Sequence, residues 1–271
     1  APHASFSFNL NNQLFHFGQN TISLRAFLPN GATDLFAADN TISKELEVYI
    51  PGAYTPKWQW AKRLGGTSFD YALDVQADYN NNALVCGMCT GTSVFDTITL
   101  PNTSRLTAYV ALVNHAGRVV WAKNFISSNY AYAQAVTASP GNQYYVSGYF
   151  KDTLTLGNIT LVSPATQGVF IIALDSAGNG LWGKMGRTNQ NAEVSDMDID
   201  AQGNLYVSGW ASGSANPANY IAFGSDTSYF AGFENMFLVK LSSSGQWLWS
   251  RVPNGISQLY AVKCTPNGKV V

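Results

Sequence analysis

Short runs in which apolar and polar residues alternate recur along most of the chain. Ala72-Leu-Asp-Val-Gln-Ala77, Ala133-Gln-Ala-Val-Thr-Ala138 and Ser195-Asp-Met-Asp-Ile199 have this character. A period of two is the pattern of a strand with differently covered faces. Each run ends in a polar turn: Asp78 to Asn82, Ser139 to Asn142, and Asp200 to Asn204. A denser apolar run ending in glycine follows: Leu84-Val-Cys-Gly87, Tyr145-Val-Ser-Gly148 and Tyr206-Val-Ser-Gly209. Further on come the nearly continuous apolar runs Tyr109 to Val113, Phe170 to Leu174 and Met236 to Leu241. Strands that read this way are covered on both faces.

The third run leads into a turn that closes on glycine: Asn114-His-Ala-Gly117, Asp175-Ser-Ala-Gly178 and Ser242-Ser-Ser-Gly245. A side-chain acceptor first and a glycine last suits a tight turn between antiparallel strands. A tryptophan stands four residues after each of these glycines. Trp60, Trp121, Trp182 and Trp249 are separated by 61, 61 and 67 residues. Each repeat therefore predicts four short strands with turns between them. A four-stranded sheet with two apolar faces needs a neighbour on each side. Radial stacking of such sheets supplies that, so the fold class expected is all-β, with β-propeller blades of about 61 residues.

Composition sharpens this picture. Charged residues make up only 11% of the 271-residue chain, against about 25% in ordinary soluble domains. The polar surface is therefore built from Asn, Ser, Thr, Gln and Gly, which fits an extracellular β-rich protein. The formal net charge is −1, and no basic run suggests nucleic acid or an anionic membrane as partner. No apolar stretch approaches the length of a membrane span. Cys86, Cys89 and Cys264 are too few and too scattered for a disulfide framework. Cys86-Gly-Met-Cys89 has C-x-x-C spacing inside a strand, so buried apolar thiols are the preferred reading, with a disulfide or metal site as the alternative.

The units resemble the SBBP-type β-propeller repeat of secreted bacterial surface proteins. The matching segments are Trp60-Ala-Lys-Arg-Leu-Gly-Gly66, Asp200 to Asn204, Tyr206-Val-Ser-Gly209, Phe170 to Trp182, and Phe237 to Trp249. The likeness covers 57–271, and the second unit departs from it with Asn124-Phe-Ile-Ser-Ser in place of the Gly-Gly segment. It implies a non-catalytic binding or assembly module of a large cell-surface adhesin or filament protein, exported by a type IX route. The implied partner is a protein or glycan on another surface, or further copies of the same protein. Runner-up readings are a carbohydrate-binding propeller attached to a secreted hydrolase, and an enzyme with its site at the propeller channel.

Residues 1–52 lack the repeat and resemble the last strands of an immunoglobulin-like module, with strands expected at Ser5 to Leu10, Thr21 to Phe27 and Glu45 to Ile50. Residues 53–56 read as a linker, and 57–271 as three whole units with a truncated fourth. The expectation is that the polypeptide continues, and that Lys57 to Leu64 supplies the outer strand of the last blade.

Candidate chemistry is sparse. Asp196, Asp198 and Asp200 faintly suggest a calcium loop, but a role in turns and strand edges is preferred. His3, His16 and His115 form no recognisable triad, and the few glutamates include Glu193 and Glu234. No catalytic, cofactor-binding or metal residue is assigned. The repeated tryptophans suit packing between blades better than sugar stacking. Trp58, Trp210, Trp247, Tyr130, Tyr132 and Tyr220 are better candidates for an exposed binding face, and Gly213-Ser-Ala-Asn-Pro217 for a variable loop.

Overall fold

The computed structural model describes residues 18–25, 41–48, 60–101, 106–163, 166–214, 216–253, 258–265 and 269–271. The chain divides into two compact units, Ala1–Trp58 and Gln59–Val271. In the first, β1 (Gly18–Arg25) and β2 (Thr41–Val48) form an antiparallel pair with Gly18 opposite Val48. These strands overlap two of the runs expected there. The run from Ser5 to Leu10 and the linker at 53–56 lie outside the described residues.

The second unit begins with β3 (Gly65–Gly66), β4 (Asp70–Ala77), β5 (Ala83–Cys89), β6 (Ser93–Phe95), β7 (Ile98–Leu100), β8 (Thr107–Val113) and β9 (Val119–Ser127). It continues with β10 (Tyr130–Ala138), β11 (Tyr144–Lys151), β12 (Thr153–Leu156), β13 (Ile159–Val162), β14 (Gln167–Leu174) and β15 (Gly180–Thr188). It closes with β16 (Ala192–Ile199), β17 (Leu205–Ser212), β18 (Asn219–Phe223), β19 (Asp226–Phe230), β20 (Glu234–Leu241) and β21 (Trp247–Arg251). Every named strand pair is antiparallel. Among the described residues there is no helix.

The four strands expected in each repeat are present, as β4-β5-β8-β9, β10-β11-β14-β15 and β16-β17-β20-β21. Each repeat also carries a hairpin that the sequence reading did not separate: β6–β7, β12–β13 and β18–β19. Each hairpin leaves its own repeat and hydrogen-bonds to the outer edge of the preceding one. Leu154 of β12 pairs with Ser127 of β9, Ile221 of β18 with Thr188 of β15, and Val94 of β6 with Gly65 of β3. The hairpins cover edge strands whose backbone would otherwise be unpaired.

The middle strands explain their own composition. Every residue of β14 is buried. Phe170, Ile172 and Leu174 face the core shared with the first repeat, while Val169, Ile171 and Ala173 face the core shared with the third. The strand is continuous in apolar character because it is sandwiched. Burying each of the larger side chains contributes about 1.5–3 kcal/mol.

Two glycine positions recur for steric reasons. The first strand of each unit carries a bulge, between Ala72 and Asp74, Ala133 and Ala135, and Val194 and Asp196. The bulge drives a carbonyl against the second strand, where a Cβ on Gly87, Gly148 or Gly209 would overlap the oxygen of Tyr71, Tyr132 or Glu193. At Gly117, Gly178 and Gly245 the backbone is left-handed, with φ of +76°, +77° and +78°. A Cβ there would lie 2.8 Å from the ring of Trp60, Trp121 or Trp182. Each indole of one repeat thus lies on the turn glycine of the next. Its Nε1–H donates to a carbonyl in that turn: Trp60 to His115 at 3.0 Å, Trp121 to Ser176 at 2.9 Å and Trp182 to Ser243 at 3.0 Å. Trp60, Trp121 and Trp182 are packing residues between repeats.

Candidate functional site: the two ends of the first strands

The first strands of successive repeats are tied directly to one another. Asp74 Oδ2 accepts from the Val136 amide at 2.8 Å, and Asp196 Oδ2 accepts from the Val262 amide at 2.9 Å. In the second repeat the matching position is Ala135, so its neighbour takes over: Gln134 Oε1 accepts from the Val194 amide at 2.9 Å. Asp198 Oδ2 adds a bond from the Cys264 amide at 2.8 Å. These links bring β4, β10, β16 and the segment 258–265 together. A cavity of about 360 Å³ is lined from all four, including Gln76, Thr137, Asp198 and Lys263.

These partners account for the aspartates singled out as a possible cation loop. Asp200 Oδ1 accepts from the amides of Gln202 and Asn204 at 3.0 and 2.8 Å, and Lys240 Nζ lies 3.2 Å from Oδ2. Burial pushes the Asp200 carboxyl up, but its Asn204 and Lys240 partners outweigh that and hold it below the usual range. Asp198 pairs with Lys263 at 3.3 Å. Asp74 moves the other way, raised by burial more than its two amide donors lower it. Among the described residues no three His, Cys, Asp or Glu side chains are grouped to hold a metal ion.

At the other end of the first strands, three of the predicted aromatic candidates converge. Tyr130, Tyr132 and Trp210 line a cavity of about 280 Å³ with Tyr149, Glu193, Asn191, Gln167 and Leu106. The repeat builds the site from equivalent positions 61 residues apart. Tyr71, Tyr132 and Glu193 are one set, and Met88, Tyr149 and Trp210 the next. Tyr132 lies opposite Tyr149 across β10 and β11, and Glu193 opposite Trp210 across β16 and β17. Tyr132 and Tyr149 stack with centroids 4.9 Å apart and planes at 21°. Tyr130 stands edge-on to both, at 71° and 79°. Burial pushes all three phenols upward in pKa; the Glu193 carboxylate comes next for Tyr132 and Tyr149, whereas for Tyr130 the neighbouring Tyr132 and Asp152 come before it.

Glu193 is the one carboxylate of this cavity, and its Oε2 accepts from Gln134 Nε2 at 3.2 Å. Among the described residues no serine, cysteine or histidine lines it. The arrangement offers aromatic faces and one negative charge, which suits binding. Tyr149 was not separated from the Tyr-Val-x-Gly strand in the sequence. The signal for it is its place directly after Gly148, opposite an already suspected tyrosine.

The remaining candidates are scattered. Trp247 packs on Phe223 at 5.4 Å beneath Gly224. Tyr220 pairs with Tyr229 on the β18–β19 hairpin at 6.3 Å. In the proposed variable loop, Ser214 accepts from Asn219 Nδ2 at 3.0 Å. Glu234 faces Ser212 in register and does not line the aromatic cavity. His115 serves through its carbonyl, as the acceptor of Trp60. Trp58, His3 and His16 lie outside the described residues. Cys86 and Cys89 are buried thiols, with Cys86 Sγ donating to the Ala133 carbonyl at 3.3 Å.

No protein-family profile matches the chain. It is 24% identical, over an alignment of 178 residues that covers 56% of the chain, to an uncharacterized WD repeat-containing protein L264 of Acanthamoeba polyphaga mimivirus. The chain spans about 13% of that protein's length.

Proposed function

We propose that residues 57–271 belong to a β-propeller that acts as a non-catalytic binding and assembly module. One observation carries the reading: residues at the ends of the first strands of three repeats and the segment 258–265 line one cavity. Sheets stacked in a straight row, about 10 Å apart, would hold the first and fourth some 30 Å from each other. The likeness to a WD repeat-containing protein supports the same reading. Within it, residues 60–64 take the place of an outer strand, since Trp60 contacts Gly117 as Trp121 contacts Gly178. The aromatic end of the assembly is the binding face, and a protein is the preferred partner.

The wider setting is part of the same proposal. The module sits in a secreted bacterial cell-surface adhesin or filament protein, behind an immunoglobulin-like piece and exported by a type IX route. The low charge and amide-rich surface support an extracellular home. The resemblance to the SBBP-type repeat supports the rest.

The test is a cross-link. Gln76 and Cys264 line the same cavity. Gln76→Cys is expected to join the native Cys264 through a short bis-maleimide, within one chain, with high yield. Failure to join under native conditions removes the axial arrangement. A screen of the unmodified chain against glycoside, peptide and ester substrates checks the non-catalytic part. Turnover that survives repurification sinks it.

A further inference from the structure

The aromatic cavity has a charge balance that selects its occupant. Among the described residues, its lining holds one carboxylate, Glu193, and no lysine or arginine. Lys151 is the register partner of Tyr130 but does not line it. The one side chain bonded to Glu193 Oε2 is the neutral Gln134. Among the described residues lining the cavity, the negative charge at the wall therefore has no counter-charge. Around it stand Trp210 and three tyrosines, of which two form a stacked pair and the third is edge-on to both. The electron-rich faces of such rings attract a cation, most strongly where water is excluded.

A saccharide is the rival occupant. It asks for amides ready to bind hydroxyls. Two of the nearby amides are engaged with backbone, Gln134 with the Val194 amide and Gln167 with the Ala192 amide, at 3.0 Å in the second case, which leaves Asn191 as the lining amide open to a ligand. The observations favour a cation with an apolar shell.

Building on the binding-module reading, we infer that this cavity is an aromatic cage for an alkylated ammonium group carried on a lysine side chain of a protein partner. Trimethylammonium fits that chemistry best. It presents methyl groups to the rings, and it lacks N–H donors that would remain unsatisfied in a pocket with one carboxylate. Glu193 balances the charge, and the Tyr130 edge sets the depth.

Calorimetric titration tests this with the whole chain and three short Gly/Ser peptides. They carry, at one central position, trimethyl-lysine, its neutral carbon isostere with a tert-butyl group, or unmodified lysine. The trimethyl-lysine peptide is expected to bind, and the neutral isostere about tenfold more weakly or worse. Glu193→Gln keeps the bond to Gln134 and is expected to weaken the trimethyl-lysine peptide by about tenfold while leaving the isostere unchanged. The isostere comparison uses the unaltered protein, so it decides even if that variant folds poorly. Equal binding of the two peptides would reduce the cavity to a hydrophobic pocket and overturn the cage. Binding of methyl glucoside in their place would make it a sugar site. No binding of the trimethyl-lysine peptide, with the Gln76→Cys to Cys264 cross-link still forming, removes the cage and leaves the module. Loss of both removes the two together.

Discussion

Gly178→Ala tests the contact that joins one repeat to the next. The residue sits at φ +77°, where an L side chain costs about 1–2 kcal/mol. The new methyl would also lie 2.8 Å from Trp121 Cε3 and 2.9 Å from Cδ2. The indole cannot retreat freely. It is only 7% exposed, donates to the Ser176 carbonyl at 2.9 Å, and packs on Tyr144 at 5.8 Å. Overpacking of this kind costs about 1–3 kcal/mol more. The total expected is about 2–5 kcal/mol.

Gly203 is the internal control. Its φ is +82°, yet the nearest atom to an added Cβ is Ser243 Cβ at 3.7 Å, ordinary contact. Gly203→Ala is therefore expected to carry the backbone cost alone, about 1–2 kcal/mol. The matching positions in the other repeats, Asn81 and Asn142, already hold side chains at positive φ. Urea unfolding followed by far-ultraviolet circular dichroism gives both values. In a Trp121→Leu background the extra cost of Gly178→Ala should largely vanish, a coupling of about 1–3 kcal/mol. Equal costs for the two glycines, or no coupling to Trp121, would refute the idea that the indole dictates the glycine.

Other outcomes follow from the same geometry. Gly148→Ala would drive a methyl into the Tyr132 carbonyl, and is expected to lower stability by about 3 kcal/mol or more, or to give insoluble protein. Asp200→Asn removes charge-assisted bonds and should cost about 1–3 kcal/mol at neutral pH. Because the folded carboxyl lies below its usual 3.8, that stabilisation is full above this value and fades as pH falls through the folded pKa. The gap between the unaltered protein and Asp200→Asn should thus narrow below about pH 4 in parallel melts. Thiol labelling at pH 8 should reach Cys264 first, although its pKa is pushed up to about 11 by burial. Cys86, buried and raised well above its usual value, should label only at the rate of unfolding. Early labelling of Cys86 would show that the core between the first two repeats opens locally.

Much of the architecture was legible along the chain because strand burial leaves a one-dimensional record. Alternation in β4, β10 and β16, and unbroken apolar runs in β8 and β14, follow from which faces are covered. The tryptophan and glycine spacing reports a contact made identically in each repeat. The β6–β7, β12–β13 and β18–β19 hairpins were not separable. Their strands are only three to five residues long, and their partners lie in the preceding repeat.

Sequence alone therefore determined the repeat, its four main strands, its turns and the packing role of Trp60, Trp121 and Trp182. These properties depend on local backbone chemistry and on burial, and both leave a periodic trace. Only the tertiary structure decided which irregular residues meet. Tyr132 and Glu193 occupy the same position in successive repeats, as do Tyr149 and Trp210. Nothing local marks them as neighbours. They share one cavity because the first strands of adjacent repeats are held together by Gln134 and its counterparts, and a distance across repeats has no period in sequence.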